Sequence, residues 1–278
     1  MKIELGGRTV FLADYGKPFD PEEKTVLLVH GAGMDGSVWP LQARHLAYRG
    51  WNALAVDLPG HGRSEPSDEG PPVSIEAMGA WLLALIDALS ARDAFLVGHS
   101  MGALAALEAA AQAGTGLGGI ALLGAAPAMP VHPALLEAAE CPSPIAPELI
   151  CDWGFGPAGH FGGHRSPGSW MIGHAIALLG RSAGPLLHAD LAACDAYRGG
   201  LGAAARVRCP ALVVSGDLDR MTPARQGAKL AAAIRGARFV SLPGCGHMMM
   251  VEQPDATLDA LIGFLADRSA IASGAASA

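Results

Sequence analysis

Gly98-His99-Ser100-Met101-Gly102 constrains this chain more than any other segment. A short apolar run, Ala94-Phe95-Leu96-Val97, precedes it, and an alanine-rich stretch from Ala103 to Ala113 follows. The pattern reads as a buried strand that passes through a sharp turn into a helix, with a serine at the apex. Small residues two before and two after the serine let strand and helix approach closely. The turn lifts the Ser100 hydroxyl clear of the backbone at a helix N-terminus, where free N–H groups and the helix dipole favour negative charge. A serine placed there can attack a carbonyl carbon, and the helix end can help to hold the oxyanion that results.

The same strand-to-turn pattern recurs along the chain. Val26-Leu27-Leu28-Val29 ends at His30-Gly31-Ala32-Gly33, and Leu54-Ala55-Val56 ends at Asp57-Leu58-Pro59-Gly60-His61-Gly62-Arg63-Ser64. Ile120-Ala121-Leu122-Leu123, Ala211-Leu212-Val213-Val214 and Phe239-Val240-Ser241-Leu242 are three more short apolar runs. Residues 3–15 read as an opening strand or hairpin around Gly6-Gly7. Between the runs lie helical stretches, at 37–49, at 74–90 with Ile75, Met78, Leu82, Leu85, Ile86 and Leu89 at helical spacing, and from Pro223 toward Gly236 with Thr222 as the capping residue. Strands alternating with helices predict an α/β fold, a mostly parallel central sheet covered by helices on both faces.

From about residue 128 to 205 the rhythm changes. Pro, Gly, His and Trp become frequent, helical stretches are expected near 133–140 and 170–193, and no clear apolar strand occurs. This segment reads as a helical cap inserted into a core formed by residues 1–127 and 206–268. A closing helix is expected from Pro254 to about Asp267, and the small, polar tail 269–278 is expected to be disordered.

With 51% apolar and 16% charged residues the chain is too apolar to remain disordered. Its net charge of −7 argues against nucleic acid or an anionic membrane surface as partner. Five dispersed cysteines without a C-x-x-C pair suggest reduced thiols and a cytoplasmic setting. The N-terminus lacks the apolar stretch of a secretory signal, and no apolar run is long enough to span a membrane. The oligomeric state is not readable.

A serine is a poor nucleophile near neutral pH unless a base takes its proton and a carboxylate orients that base. In an open parallel sheet such groups belong at the carboxyl ends of strands. Downstream of Ser100, Asp219 follows one apolar run and His247 the next, in the order Ser, Asp, His. Asp217, two residues nearer its strand, is the rival acid. His160 and His164 flank Gly162-Gly163, which disfavours a helix there, and no metal site is read. Trp153, Phe161, Trp170 and Met248 are candidates for lining a substrate pocket, with apolar packing as the alternative for each.

The chain resembles the α/β-hydrolase fold superfamily, in its single-cap branch of esterase-like and peroxidase-like enzymes. The pieces that match are His30-Gly31 with Trp39, the segment Asp57 to Ser64, Gly98 to Gly102, Gly216-Asp217-Leu218-Asp219 with Pro223, and Gly246-His247 with Glu252 and Pro254. The family pattern G-x-x-D places the acid at Asp219. The resemblance also implies an oxyanion hole made by the backbone N–H groups of Ala32 and Met101. It implies a carboxylic ester hydrolase that needs no cofactor and acts on a small-molecule ester, small or medium in size and partly apolar. Hydrolysis of a C–C bond, a lactone or a thioester, or cofactor-free peroxidase chemistry, would use the same three residues. So would a small-molecule receptor of this fold with little turnover. Relatives that cleave C–C bonds often carry Trp directly after the histidine, where this chain has Met248. Dehalogenases and epoxide hydrolases of this fold use an aspartate where this chain has Ser100.

Overall fold

The computed structural model describes residues 1–67, 74–91, 93–160 and 169–275. β1 (Lys2–Leu5) and β2 (Arg8–Ala13) form the expected antiparallel hairpin, and β2 runs antiparallel to β4 (Asn52–Val56). β4 then pairs in parallel with β3 (Thr25–Val29), and the parallel array continues through β5 (Phe95–His99), β6 (Gly119–Leu123), β7 (Ala211–Gly216) and β8 (Arg238–Leu242). The eight-stranded order is β1-β2-β4-β3-β5-β6-β7-β8.

Every residue of β3, β4, β5, β6 and β7 is buried, which is why their central residues form short apolar runs rather than alternating patterns. Leu27 and Val29 enter one core and Val26 and Leu28 the other. The first core is closed by α2 (Ile75–Ala88), α3 (Met101–Ala113), α9 (Gly200–Arg206) and α10 (Ala224–Ala233). The second is closed by α1 (Pro40–Tyr48) and α12 (Pro254–Ala275). Removing each of these Leu or Val side chains from water contributes about 1.5–3 kcal/mol. The Ser74 hydroxyl accepts the Ala77 N–H and starts α2.

Between β6 and β7 the chain forms α4 (Pro133–Ala139), α5 (Ile145–Gly154), α6 (Pro157–His160), α7 (Met171–Leu179) and α8 (Pro185–Ala196), which pack largely on one another. α5 and α6 have no counterpart among the sequence expectations. The helical stretch expected over 170–193 is split, because Gly184 adopts φ 97° and Pro185 can only begin a helix, not continue one. α9 lies inside the range expected for the insertion, yet it packs against α3 and α10 beside the sheet. α12 runs to Ala275, past the expected end near Asp267 and into the tail expected to be disordered; alanine, frequent there, is the strongest helix former. A short α11 (Met249–Glu252) precedes it. Among the described residues no helix is long and apolar enough to cross a membrane.

β3 has β4 on one side and β5 on the other, so the order of the chain reverses there. In open α/β sheets the crevice beyond the carboxyl ends of such strands is where ligands bind. The segment His30 to Gly33 leaves β3 at this point, and Ser100 leaves β5.

Candidate active site

Ser100 connects β5 to α3 with φ 53° and ψ −117°, a conformation that a residue with a side chain adopts only under constraint. Its N–H donates to Leu123 O at 2.9 Å. The glycines on either side are required by contact. A Cβ on Gly98 would overlap the Gly102 carbonyl, and one on Gly102 would overlap the carbonyl oxygens of Val29 and His30. The backbone of β3 therefore lies directly against the first turn of α3.

β7 delivers Asp219 and the segment after β8 delivers His247. Asp219 Oδ2 lies 2.8 Å from His247 Nδ1, and both residues are buried. The carboxylate is organised from its other sides as well. Its Oδ1 accepts the N–H groups of Met221 and Thr222, each at 2.8 Å, and the Thr222 hydroxyl donates to Oδ2 at 2.7 Å. Burial pushes the Asp219 carboxyl up, but the facing His247 ring and the Thr222 hydrogen bonds outweigh it and hold the group below its ordinary range. Asp217 is exposed, and its N–H is spent on Leu242 O.

His247 is clamped along its backbone. Its N–H donates to Gly154 O, and its carbonyl accepts from His99 Nε2 at 2.9 Å. The Glu252 carboxylate accepts the N–H of Gly246 at 3.1 Å and of Met248 at 3.0 Å, one on each side of His247, and of Gly156 at 2.8 Å. Burial, with the His247 ring beside it, brings the His99 pKa down to about 3, so His99 is a neutral donor.

The loop after β3 is built the same way. The Leu58 N–H donates to His30 Nε2 at 3.1 Å, so the ring proton sits on Nδ1 and is given to Gly31 O at 2.8 Å. Burial, aided by the neighbouring His61, lowers the His30 pKa to about 4. The N–H groups of Ala32 and Met101 donate to no acceptor among the described residues.

Ser100, His247, Ala32 and Thr222 line one cavity of about 410 Å³, whose walls include Met129, Val131, Leu135, Ile150, Trp153 and Met248. The arrangement places a hydroxyl on a strained turn, a carboxylate–imidazole pair and an apolar wall in one enclosure. Among the described residues no group of three His, Cys, Asp or Glu is placed to hold a metal ion.

The sequence model of the Alpha/beta hydrolase family matches residues 26–260. The chain belongs to the alpha/beta hydrolase family. Among its relatives, a non-heme haloperoxidase of Rhodococcus erythropolis is 25% identical over 285 residues, covering 93% of this hydrolase and 96% of the relative. The enol-lactonase of Burkholderia xenovorans superposes on it with a TM-score of 0.80 at 25% identity, covering 96% of this chain and 100% of that one. A thermophilic esterase shares the fold, with a TM-score of 0.77 at 23% identity over 96% of this chain and 97% of that one.

In this family member the pocket candidates divide. Trp153 and Met248 stand in the cavity with Ser100. Trp170 does not: it is 67% exposed and lines a second cavity, also about 410 Å³, with Phe155, Met171 and Leu178. Met34 and Met248 border both cavities. Phe161 lies outside the described residues, as does His164. Thr222 was expected only as a helix cap, but its hydroxyl goes to Asp219 and α10 begins after Pro223. Its spacing of three from the acid was the one available signal. The hydrogen bond from Gly33 to Asp190 on α8, across 157 residues of chain, left no local signal at all.

Proposed function

We propose that this alpha/beta hydrolase cleaves carboxylic esters of small or medium, partly apolar substrates through an acyl-enzyme on Ser100, with Asp219 and His247 completing the triad. The observation that carries this reading is the buried 2.8 Å contact of His247 with Asp219 at the wall of the cavity that Ser100 enters. The esterase and enol-lactonase neighbours support the substrate class, since both act on ester bonds.

Asp219 holds the proton of His247 on Nδ1 and leaves Nε2 as the base. His247 takes the Ser100 proton as Oγ bonds to the carbonyl carbon, and the carbonyl π pair moves onto oxygen. The N–H groups of Ala32 and Met101 hold that oxyanion; one such donor is worth a factor of about 10²–10³ in rate. Collapse expels the alcohol, which takes the proton from His247. Water, deprotonated by the same ring, then releases the acid and restores Ser100.

Helices α4 to α8 serve as the cap, because residues of α4, α5 and α8 supply much of the apolar wall. The second cavity beyond Met34 and Met248 suits an extended apolar substituent, and methionine side chains adapt to varied shapes. The dispersed thiols suit a cytoplasmic setting. Lactones are a second reading, carried by the enol-lactonase likeness across nearly the whole chain; a cyclic ester needs no change in the machinery.

Labelling with a fluorophosphonate, followed by peptide mapping and a panel of p-nitrophenyl esters, lactones and thioesters, tests the reading. Adduct on Ser100 and multiple turnovers on an ester are expected. An unlabelled Ser100, or binding of esters without turnover, would remove it.

A further inference from the structure

Asp190 is a fully buried carboxylate on α8 whose partners come from two distant parts of the chain. Its Oδ2 accepts the Gly33 N–H at 2.8 Å and lies 2.8 Å from His61 Nε2. The other ring nitrogen of His61, Nδ1, faces Pro59 O at 3.1 Å, and His61 is buried too. Both ring nitrogens therefore face oxygens that only accept, so both carry protons and His61 is an imidazolium. Burial acts against that charge, but the Asp190 carboxylate overcomes it and raises the His61 pKa. Asp190 Oδ1 is buried without a hydrogen-bond partner among the described residues. One oxygen thus carries both contacts, and it is the one aimed at the loop after β3.

The consequence falls on Ala32. A peptide unit is planar and trans, so pinning one of its ends directs the other. The Gly31–Ala32 unit is pinned at Gly31 O by His30 Nδ1–H at 2.8 Å and by the Met34 N–H at 3.2 Å. The Ala32–Gly33 unit is pinned at the Gly33 N–H by Asp190. Ala32, which lines the cavity with Ser100, is held on both sides, and its N–H points away from the Gly31 carbonyl.

We propose that Asp190, charge-balanced by His61, is a positioning residue that braces the Ala32–Gly33 peptide so that the Ala32 N–H faces the substrate oxyanion. The inference rests on the ester-hydrolase reading above and deepens it. The oxyanion hole is then not a property of the sheet alone. It is complete only when α8, from the segment between β6 and β7, is docked against the loop.

The test compares wild type, Asp190→Asn and the double variant His61→Phe/Asp190→Leu. The readouts are thermal unfolding, kcat and KM for p-nitrophenyl butyrate, and inhibition by phenylboronic acid, whose tetrahedral serine adduct places an oxygen in the oxyanion site. Apolar side chains of similar size often replace a buried ion pair without net loss, but here the Gly33 N–H and Pro59 O lose their partners, so the double variant is expected to unfold cooperatively at a temperature somewhat below wild type. Its kcat is expected to fall by about 10²-fold at little-changed KM, with phenylboronic acid weakened by a similar factor. Asp190→Asn keeps an oxygen for the Gly33 N–H but loses the charge, and a drop of about tenfold in kcat is expected. Wild-type kcat in whichever of the two variants folds, or a loss confined to KM with inhibition unchanged, overturns the brace. Wild type that is not labelled at Ser100 by a fluorophosphonate removes the hydrolase reading and the brace with it. A labelled, active wild type beside an unaffected double variant removes the brace alone.

Discussion

His99 donates its Nε2–H to the backbone carbonyl of His247 at 2.9 Å, and the two rings lie 4.7 Å apart. The residue directly before the apex serine thus holds the backbone of the residue that carries the imidazole. Replacing it by His99→Leu leaves a buried carbonyl unpaired, which costs about 1–3 kcal/mol. Urea unfolding should report that loss, and kcat should fall with it as His247 loses its tether. A variant with the wild-type urea midpoint and kcat would show that the tie is idle.

Ser100→Ala should abolish ester turnover while leaving the thermal midpoint close to wild type, since the hydroxyl adds little to packing. Asp219→Asn should lower kcat by about 10³–10⁴-fold, because an amide facing Nδ1 no longer enforces the required tautomer. Steady-state kinetics on a p-nitrophenyl ester check both. Substantial turnover by Ser100→Ala would place the nucleophile elsewhere.

Gly102→Ala is the sharpest test of the turn. The added methyl would meet the Val29 and His30 carbonyl oxygens, which are backbone atoms of a fully buried strand end and cannot rotate away. Overpacking of a tight core costs about 1–3 kcal/mol, and against backbone the upper end is expected. Chemical denaturation checks it; an unchanged midpoint would mean that α3 shifts freely against β3.

Acid should destabilise the protein through two buried imidazoles. His30 and His99 are neutral in the folded state, with pKa values lowered to about 4 and about 3 by burial and by the neighbouring His61 and His247 rings. In the unfolded chain both take up protons near pH 6.5. The unfolded state then binds more protons, so stability rises with pH and is lost as pH falls from about 6.5 toward 4. His61, whose pKa is raised, acts in the opposite sense and loses its contribution as pH rises through its folded value. The urea midpoint at pH 5 should lie below that at pH 7.5, and His99→Gln should flatten the difference. Equal midpoints in the wild type would contradict the neutral assignment of these rings.

The strands were legible because the middle of a strand buried on both faces is apolar, and β3, β4, β5, β6 and β7 each carry a run of consecutive apolar residues, with polar Thr25, Asn52, His99 and Ser215 confined to or near the strand ends. The turn at Ser100 was legible because two close backbone approaches admit only glycine, at Gly98 and Gly102. The helices between β6 and β7 were read poorly. Their apolar residues face one another and the cavity rather than a sheet, so no single periodicity marks α5 or separates α7 from α8.

By itself the sequence determined the succession of the sheet's strands and the chemical types at the strand ends, serine, carboxylate and imidazole, because these depend on local spacing and burial. Only the tertiary structure decided which partners meet: Asp219 rather than Asp217 on His247, Thr222 on Asp219, and Asp190 on His61 and the Gly33 amide. Hydrogen bonds of this kind are set by distances of about 3 Å between groups far apart in the chain, and no local pattern of residues encodes such a distance.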